Sequence, residues 1–452
     1  MRQIIALAVL LAATALADAA RKPNVIVILA DDLGYADVGF NGCKDIPTPH
    51  IDSLAKHGVR CTSGYVSHSF CSPTRAGLMT GRYQHRFGHE NNPAYLPEDT
   101  KVGLPVSQAT IADVMKSAGY VTGAIGKWHL GAAPCFHPNE RGFTEYFGFL
   151  GGGHIYLPGA KGGVEYNVPL LRNKEPLELK EYMTDVLSAE ATAFIARHKA
   201  EPFYLYLAYN AVHTPLQAPE KYLSRFAGIT DERRRTYAAM NSAMDDGVGR
   251  VLTALRDNGI ERDTMVWFFS DNGGPPYNVA PTHNDPLRGN KGTLFEGGIR
   301  VPFVVQWRGS LPEGAVCEQP VISLDVLPTA AALAGAKLPD GLRLDGVNIV
   351  PHLKGEVKTP PHERLFWRTG GGASWAVREG RYKLVKSGKD ASPQLFDLNN
   401  DIGEVKDLVS EKPNVVARLQ KAFDVWNAEL IPPLFESPKS AARKAKQAGR
   451  KR

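Results

Sequence analysis

Residues 24–30, NVIVILA, form an unbroken apolar run. The run is too short for an ordinary helix and too uniformly apolar for a strand with one face in water. It reads as a strand buried on both faces, as in a parallel sheet. Similar runs recur at 120–125, 203–208, 265–269 and 301–307. Helical patterns lie between them. Residues 107–118 put Ile111, Val114, Met115 and Ala118 at helical spacing and stop at Gly119, and 184–198 do the same with Leu187, Ala191, Phe194 and Ile195. Further helices are predicted over 230–255 and 323–334. This alternation predicts an α/β fold, a large mixed and mostly parallel sheet sandwiched by helices. Ligands in such folds sit at the carboxyl ends of the strands. The pattern changes after about Lys354. Thr359-Pro360-Pro361 reads as a linker, followed by short segments at 365–368, 374–378, 382–385 and 394–397 and a helix near 414–430. These predict a small C-terminal antiparallel sheet plus helix.

The two ends of the chain read differently from its body. Residues 1–19 resemble a signal peptide: Arg2 gives a positive start, 4–16 are apolar, and Ala15-Leu16-Ala17 or Ala17-Asp18-Ala19 offers a cleavage site. The apolar run is shorter than the roughly 20 residues that span a bilayer. The reading is therefore an exported protein, periplasmic or secreted, without stable membrane insertion. The expected division is a signal peptide at 1–19, a large α/β domain at 20–355, an α+β subdomain at 356–436 and a basic disordered tail at 437–452. The net charge of +6 comes from that tail, which has seven Lys and Arg and no acid. Without it 46 basic residues face 47 acidic ones, a balance of −1. A near-neutral body gives no footing for nucleic-acid binding. The tail is a solvated end or a weak adhesive for anionic polymers. The cysteines are Cys43, Cys61, Cys71, Cys135 and Cys317. An odd count in an exported chain leaves one unpaired in the simplest case, and the spacing matches no zinc site.

Chemistry concentrates where apolar runs end. Asp31 and Asp32 follow the first run, and Asp271-Asn272-Gly273 follows the run at 265–269. Adjacent carboxylates at strand ends repel unless a cation lies between them. Hard oxygen donors suit calcium or magnesium over zinc. His213 follows the 203–208 run in VHTP, and Lys291 lies in a glycine-rich stretch, RGNKGTLFEGGIRVP. Lys127 and His129 are two apart in an extended segment, so they project to one side.

The segment SFCSPTRAGLMTG at 69–81 decides among readings. Cys71, a proline two residues on, Arg75, and then Leu-Met-Thr-Gly resemble the signature of the formylglycine-dependent (type I) sulfatases, arylsulfatase-like members of the alkaline phosphatase superfamily. Phe70 departs from the aliphatic or small residue usual there. GYVTGAIGKWH at 119–129 resembles the second signature of the family. The resemblance runs from Asn24 to about Trp307 and more loosely beyond.

The resemblance implies that Cys71 is oxidised to formylglycine by a formylglycine-generating enzyme. The hydrated aldehyde would be the nucleophile on sulfur, and its second hydroxyl would later expel sulfate. One calcium ion would be held by Asp31, Asp32, Asp271, Asn272 and the modified Cys71. Lys127 and Lys291 would bind sulfate oxygens, His213, alone or with Lys291, would protonate the leaving alcohol, and Arg75 and His129 would position the nucleophile. Arg86, His89, Glu90 and Asn91, with His154 in FLGGGHIY, are candidate substrate contacts. The FGHENNP stretch resembles bacterial polysaccharide-degrading members. The substrate is a sulfated glycan or a small sulfate ester, and export with the many loops favours the glycan. Alternatives are a phosphonate monoester or phosphodiester hydrolase using the same nucleophile, and a catalytically silent glycan-binding homologue.

Overall fold

The computed structural model describes residues 21–437. The signal-peptide reading of 1–19 and nearly all of the basic tail lie outside the described residues.

A ten-stranded sheet forms the centre. Its order is Ala315–Cys317, Val59–Cys61, Phe303–Gln306, Thr264–Ser270, Asn24–Ala30, Phe203–Ala208, Val121–Lys127, Glu145–Phe149, Leu170–Arg172 and Glu175–Leu177. The five strands from Thr264–Ser270 to Glu145–Phe149 are mutually parallel. Alternation along the first strand divides two cores. Val25, Val27 and Leu29 join one cluster, and Ile26, Ile28 and Ala30 join the other. Each such aliphatic side chain contributes about 1.5–3 kcal/mol on burial, which is why this segment tolerates no polar alternation.

Helices cover both faces. Met183–His198 packs on Glu232–Asp257, beside the sheet face that carries Ile26 and Ile28. Asp231 caps the longer helix by accepting N–H bonds from Arg233 and Arg234. On the opposite face, Ile111–Ser117 starts later than the predicted 107, because Thr110 and Asp113 build a capping box there. The predicted 323–334 helix opens with a 3-10 turn before Val326–Ala334.

One strand runs the other way. The 301–307 run reads as another parallel strand, but Phe303–Gln306 is antiparallel to Thr264–Ser270. The intervening segment holds one four-residue helix, Glu296–Ile299, and no crossover helix that could carry the chain to the far end of the sheet. The chain leaves and re-enters at the same end, which brings the 271–302 segment to the strand ends where Asp31 and Asp32 lie.

The C-terminal part is an antiparallel four-stranded meander, Arg364–Thr369, Ser374–Glu379, Tyr382–Lys386 and Gln394–Asp397, with the helix Pro413–Ala428 against it. Phe423 stacks on Trp375 at 4.4 Å and Trp426 on Phe366 at 5.0 Å. Glu90, fully shielded from water at its side chain, joins this part to the segment that follows the Cys71–Thr80 helix. It accepts from Arg368 Nη2 at 2.6 Å and from the Gly371 N–H at 2.8 Å. No helix of the described residues is long and apolar enough to cross a membrane.

Candidate functional site

Backbone pairing continues past the strand ends and sets the site. Asp271 N–H donates to Ala30 O at 3.0 Å, Asp31 N–H to Ala211 O at 2.9 Å, and Val212 N–H to Asp31 O at 2.8 Å. Three strand ends therefore present Asp31, Asp271 and His213 to a common space. Asp32 and His129 adopt left-handed backbone, φ 62° and 59°, unusual for residues with a side chain. Such conformations collect at functional sites, where surrounding contacts hold them.

Cys71 is the first residue of the helix Cys71–Thr80, every residue of which is buried. Its Sγ lies 3.2 Å from Lys291 Nζ and 3.5 Å from Asp31 Oδ1. Lys127 Nζ donates to Asp31 Oδ2 at 2.5 Å and Lys291 Nζ to Asp32 Oδ1 at 2.6 Å. Arg75 points two N–H groups at Asp271 Oδ2, at 3.0 and 2.7 Å, and donates to Lys127 O at 2.9 Å. His213 turns Nε2 toward Asp32 Oδ2 at 3.6 Å, while its Nδ1 lies 2.6 Å from Thr214 O. That second contact fixes Nδ1 as the protonated nitrogen, leaving Nε2 a lone pair. Lys291 is brought in by its own loop, with Lys291 N–H on Gly274 O at 3.0 Å and Gly292 N–H on Ser69 O at 2.9 Å.

The electrostatics follow from burial among charges. Burial raises the Cys71 thiol to about 12, only partly offset by Lys127 and Lys291. The thiol is protonated at neutral pH and is a poor nucleophile as it stands. Burial also raises Asp271, to about 6, with Asp31 adding to it against the pull of Arg75. Burial works against ionised Asp32, but Lys291, His213 and Lys127 outweigh it and hold this carboxyl well below its usual range. Lys291 is held well above its ordinary value, since Asp32, Cys71 and Asp31 overcome its desolvation. Burial, Lys291 and Lys127 push His213 down to about 4 despite Asp32, so it is neutral at pH 7.

The donor set fits a hard divalent cation. Ligand atoms of Asp31, Asp32, Cys71 and His213 all lie within 4.8 Å of one another. Asn272 donates Nδ2 to Asp32 Oδ1 at 2.8 Å, and its buried Oδ1 has no hydrogen-bond partner. A buried amide oxygen without a donor is costly unless something electropositive meets it. Asp271 stands one step back, with Oδ2 taken by Arg75 and Oδ1 accepting the Asp32 N–H at 3.3 Å. Three carboxylates balance Lys127, Lys291 and Arg75, so a divalent ion would leave this site cationic toward an anionic ester.

The structure thus brings together Asp31, Asp32, Cys71, Arg75, Lys127, His213, Asp271, Asn272 and Lys291. His129 lies at their edge, its Nδ1 buried without a partner. The suggested substrate contacts are placed otherwise. Arg86 is held by Asp345, with Nε on Oδ2 at 2.8 Å, and by Glu429 at 2.8 Å, on the side of the C-terminal helix. His89 is fully buried, and its Nε2 lies 2.6 Å from Ser72 Oγ. His154 is buried with Nδ1 2.7 Å from Ile155 O. The polar contacts of Arg86, His89 and His154 described above are all internal to the protein. Two contributors escaped the sequence reading. Ser72 Oγ donates to His129 O at 2.6 Å, tying the signature helix to the Lys127 segment. Tyr206, inside an apolar strand, lies 3.3 Å from Arg75 Nη1 through its hydroxyl. Its only sequence signal is a polar-tipped aromatic in an apolar run, a signal that Tyr204 shares.

Comparison with known proteins places this geometry. A family profile described as Sulfatase matches residues 23–336, and one described as N-sulphoglucosamine sulphohydrolase, C-terminal, matches residues 289–428. Arylsulfatase A of Bos taurus is 35% identical over 468 residues, covering 93% of this chain and 89% of that protein. N-acetylgalactosamine-6-sulfatase of Mus musculus is 35% identical, covering 81% of this chain and 72% of that protein. Among solved structures, Ps i-CgsB in complex with k-i-k-neocarrahexaose is 40% identical with a TM-score of 0.88, covering 95% of this chain and 98% of that one.

Proposed function

The chain belongs to the sulfatase family and is a sulfuric ester hydrolase, and from that premise we propose that it removes sulfate from a sulfated glycan after export from the cell. The nucleophile is Cys71 oxidised to formylglycine, and Asp31, Asp32, Asp271 and Asn272 hold one calcium ion beside it. The observation that carries this reading is the position of Cys71 Sγ, 3.2 Å from one ammonium and 3.5 Å from the nearest of three buried carboxylates. A thiol raised to about 12 is of little use there unaltered. When present, formylglycine and calcium supply the neutral-pH oxygen nucleophile that this thiol does not.

The remaining groups divide the work. Lys127 and Lys291 are compact point charges suited to sulfate oxygens, and a cation held by Asp31 and Asp32 would compete with both for their carboxylate partners. Lys291 is held protonated beside the nucleophile, and His213 offers Nε2 on the same side of Asp32. These two can deliver a proton to the leaving alcohol, Lys291 from its resting charge and His213 after taking one up. Arg75 keeps Asp271 ionised and in place. Ser72 holds the backbone of His129. Support for a glycan comes from the 40% identical Ps i-CgsB, solved with k-i-k-neocarrahexaose.

The test is sulfate release from a panel of defined sulfated oligosaccharides, with matched phosphate esters alongside, by protein isolated from its native host. The peptide containing Cys71 is expected about 18 Da lighter than the unmodified form. Sulfate release by a protein whose Cys71 remained a thiol would sink the nucleophile, and faster turnover of the phosphate esters would sink the substrate class.

A further inference from the structure

We propose that Tyr166 is the wall on which the ring of the leaving alcohol stacks, and that it selects sulfate esters carried on a ring. The inference rests on the reading of His213 as a proton donor in a glycan sulfatase and deepens it, by naming the first contact beyond the ester oxygen.

Tyr166 ends a single 3-10 turn, Val164–Tyr166. Its ring meets that of His213 edge-on, with centroids 6.3 Å apart and planes at 62°. Its hydroxyl lies 3.1 Å from Thr214 Oγ1, so the ring is tied to the residue that follows His213. The backbone is held as well. Ile155 N–H donates to Tyr166 O at 3.2 Å, and Tyr166 N–H to Gly163 O at 2.9 Å. Glycines let these parts close on one another. A Cβ on Gly153 would lie 2.7 Å from Tyr166 Cδ1 and Cε1 and 3.8 Å from His213 Cε1, and Gly152 is pressed in the same way on His129. Residues 152–153 therefore join the imidazoles of His129 and His213 and the ring of Tyr166 into one continuous surface.

Two tyrosines touch the His213 segment, and burial separates their roles. Tyr156 is fully enclosed, with its hydroxyl against Asn210 O and His213 O. It is part of the scaffold. Tyr166 is only half-buried, and Val164 on the same turn is 91% exposed. This ring is open to a ligand, and no step proposed above employs it. Lys127 and Lys291 account for the sulfate, whereas nothing so far receives the carbon skeleton on the other side of the ester oxygen. A proton passing from His213 Nε2 to that oxygen crosses about 2.6–3.2 Å, and the skeleton begins one bond further on. A group so placed lies within reach of the Tyr166 ring. Sugars present apolar C–H faces and arenes present their own planes, and either packs well on an aromatic surface whose polar tip is already satisfied. The ligand class is thus a ring-bearing leaving group. Inorganic sulfate, which has no such group, would fill the cationic end of the site and leave Tyr166 unused.

The test compares Tyr166→Ala, Tyr166→Leu and Tyr166→Phe with the parent. The substrates are 4-nitrophenyl sulfate and the fastest member of the sulfated oligosaccharide panel, and inorganic sulfate is the competitive inhibitor. Tyr166→Ala is expected to raise KM for both esters about tenfold or more while kcat changes by less than about threefold, the pattern of lost substrate binding. Inhibition by inorganic sulfate should stay within about twofold of the parent, and the pH profile of kcat should not move. Tyr166→Phe keeps the ring and should restore both KM values to within about threefold. Tyr166→Leu fills the space without a flat face, should raise KM as well, and decides the matter if the alanine variant fails to fold. Unchanged KM in the alanine and leucine variants would overturn the wall. Sulfate inhibition weakened in step with KM, or a shifted pH profile, would make Tyr166 a support for His213 and overturn it equally. If no sulfated oligosaccharide is hydrolysed, the glycan reading falls by itself, and the aryl ester still decides Tyr166.

Discussion

Gly152 faces the ring of His129 with no space for a side chain. A Cβ at position 152 would lie 2.7 Å from Nε2 and 2.9 Å from Cε1. The imidazole is buried, so it can give way only by displacing its neighbours. Gly152→Ala is therefore expected to lower kcat by ten- to a hundredfold, on the order of 1–3 kcal/mol of misplacement, while changing Tm by only a few degrees. Steady-state kinetics with a thermal melt check both halves. A variant with unchanged kcat would remove His129 from the site.

Arg75 and Asp271 form a two-pronged ion pair from which water is excluded, both side chains being fully buried. Arg75→Ala strands the buried carboxylates Asp271 and Asp31, and the expected loss is about 3–5 kcal/mol of folding stability. Arg75→Lys keeps the charge but loses the fork and the contact to Lys127 O. It should fold and turn over at least about a hundredfold more slowly, as a misplaced positioning group would. Denaturant titration and kcat separate the two variants.

Asn272 Oδ1, buried without a hydrogen-bond partner, gives the handle on the proposed calcium. Chelation is expected to abolish activity and lower Tm, and calcium should restore both, because an ion that binds only the folded chain stabilises it by mass action. Asn272→Ala should need a higher calcium concentration for the same gain in Tm, by about tenfold or more for a lost ligand. If calcium raised the Tm of both proteins equally, Asn272 would not be a ligand.

A fourth test concerns a buried triad outside the catalytic centre. Glu296 and Glu404 share Lys383, each at 2.9 Å from its ammonium. Burial and the neighbouring Glu296 raise the Glu404 carboxyl from 4.5 to about 7, against the pull of Lys383. A raised carboxyl favours the folded state when protonated, so its contribution is complete below pH 4.5 and is lost as pH climbs through about 7. Glu404→Gln, which stays neutral, should lose less Tm than the parent between pH 5 and pH 8. An equal loss in both proteins would assign the pH dependence elsewhere.

Much of this arrangement is legible in the sequence because burial leaves a plain signature. NVIVILA can only be a strand covered on both faces, and acids placed at the ends of such strands must share space. Direction is less legible. The 301–307 run has the same composition as its neighbours, and only the shape of the connection from Asp271 makes it antiparallel. Partners distant in the chain are not legible at all. Arg86 sits close to the signature, yet its carboxylate is on Asp345, 259 residues away. His89 looks equally available and is instead enclosed by Ser72 and Phe435. Short-range pattern reports whether a side chain is covered, and carries no record of what covers it.

The enclosure of Cys71 sets a timetable. The thiol is 1% exposed, at the head of a helix whose every residue is buried. No second protein can grip a loop around it once these strands have closed. On the proposed formylglycine reading, conversion of this side chain must take place while the polypeptide is still open, so the amount of active enzyme would be decided by a race between folding and modification, and a chain that folds first would be left inert.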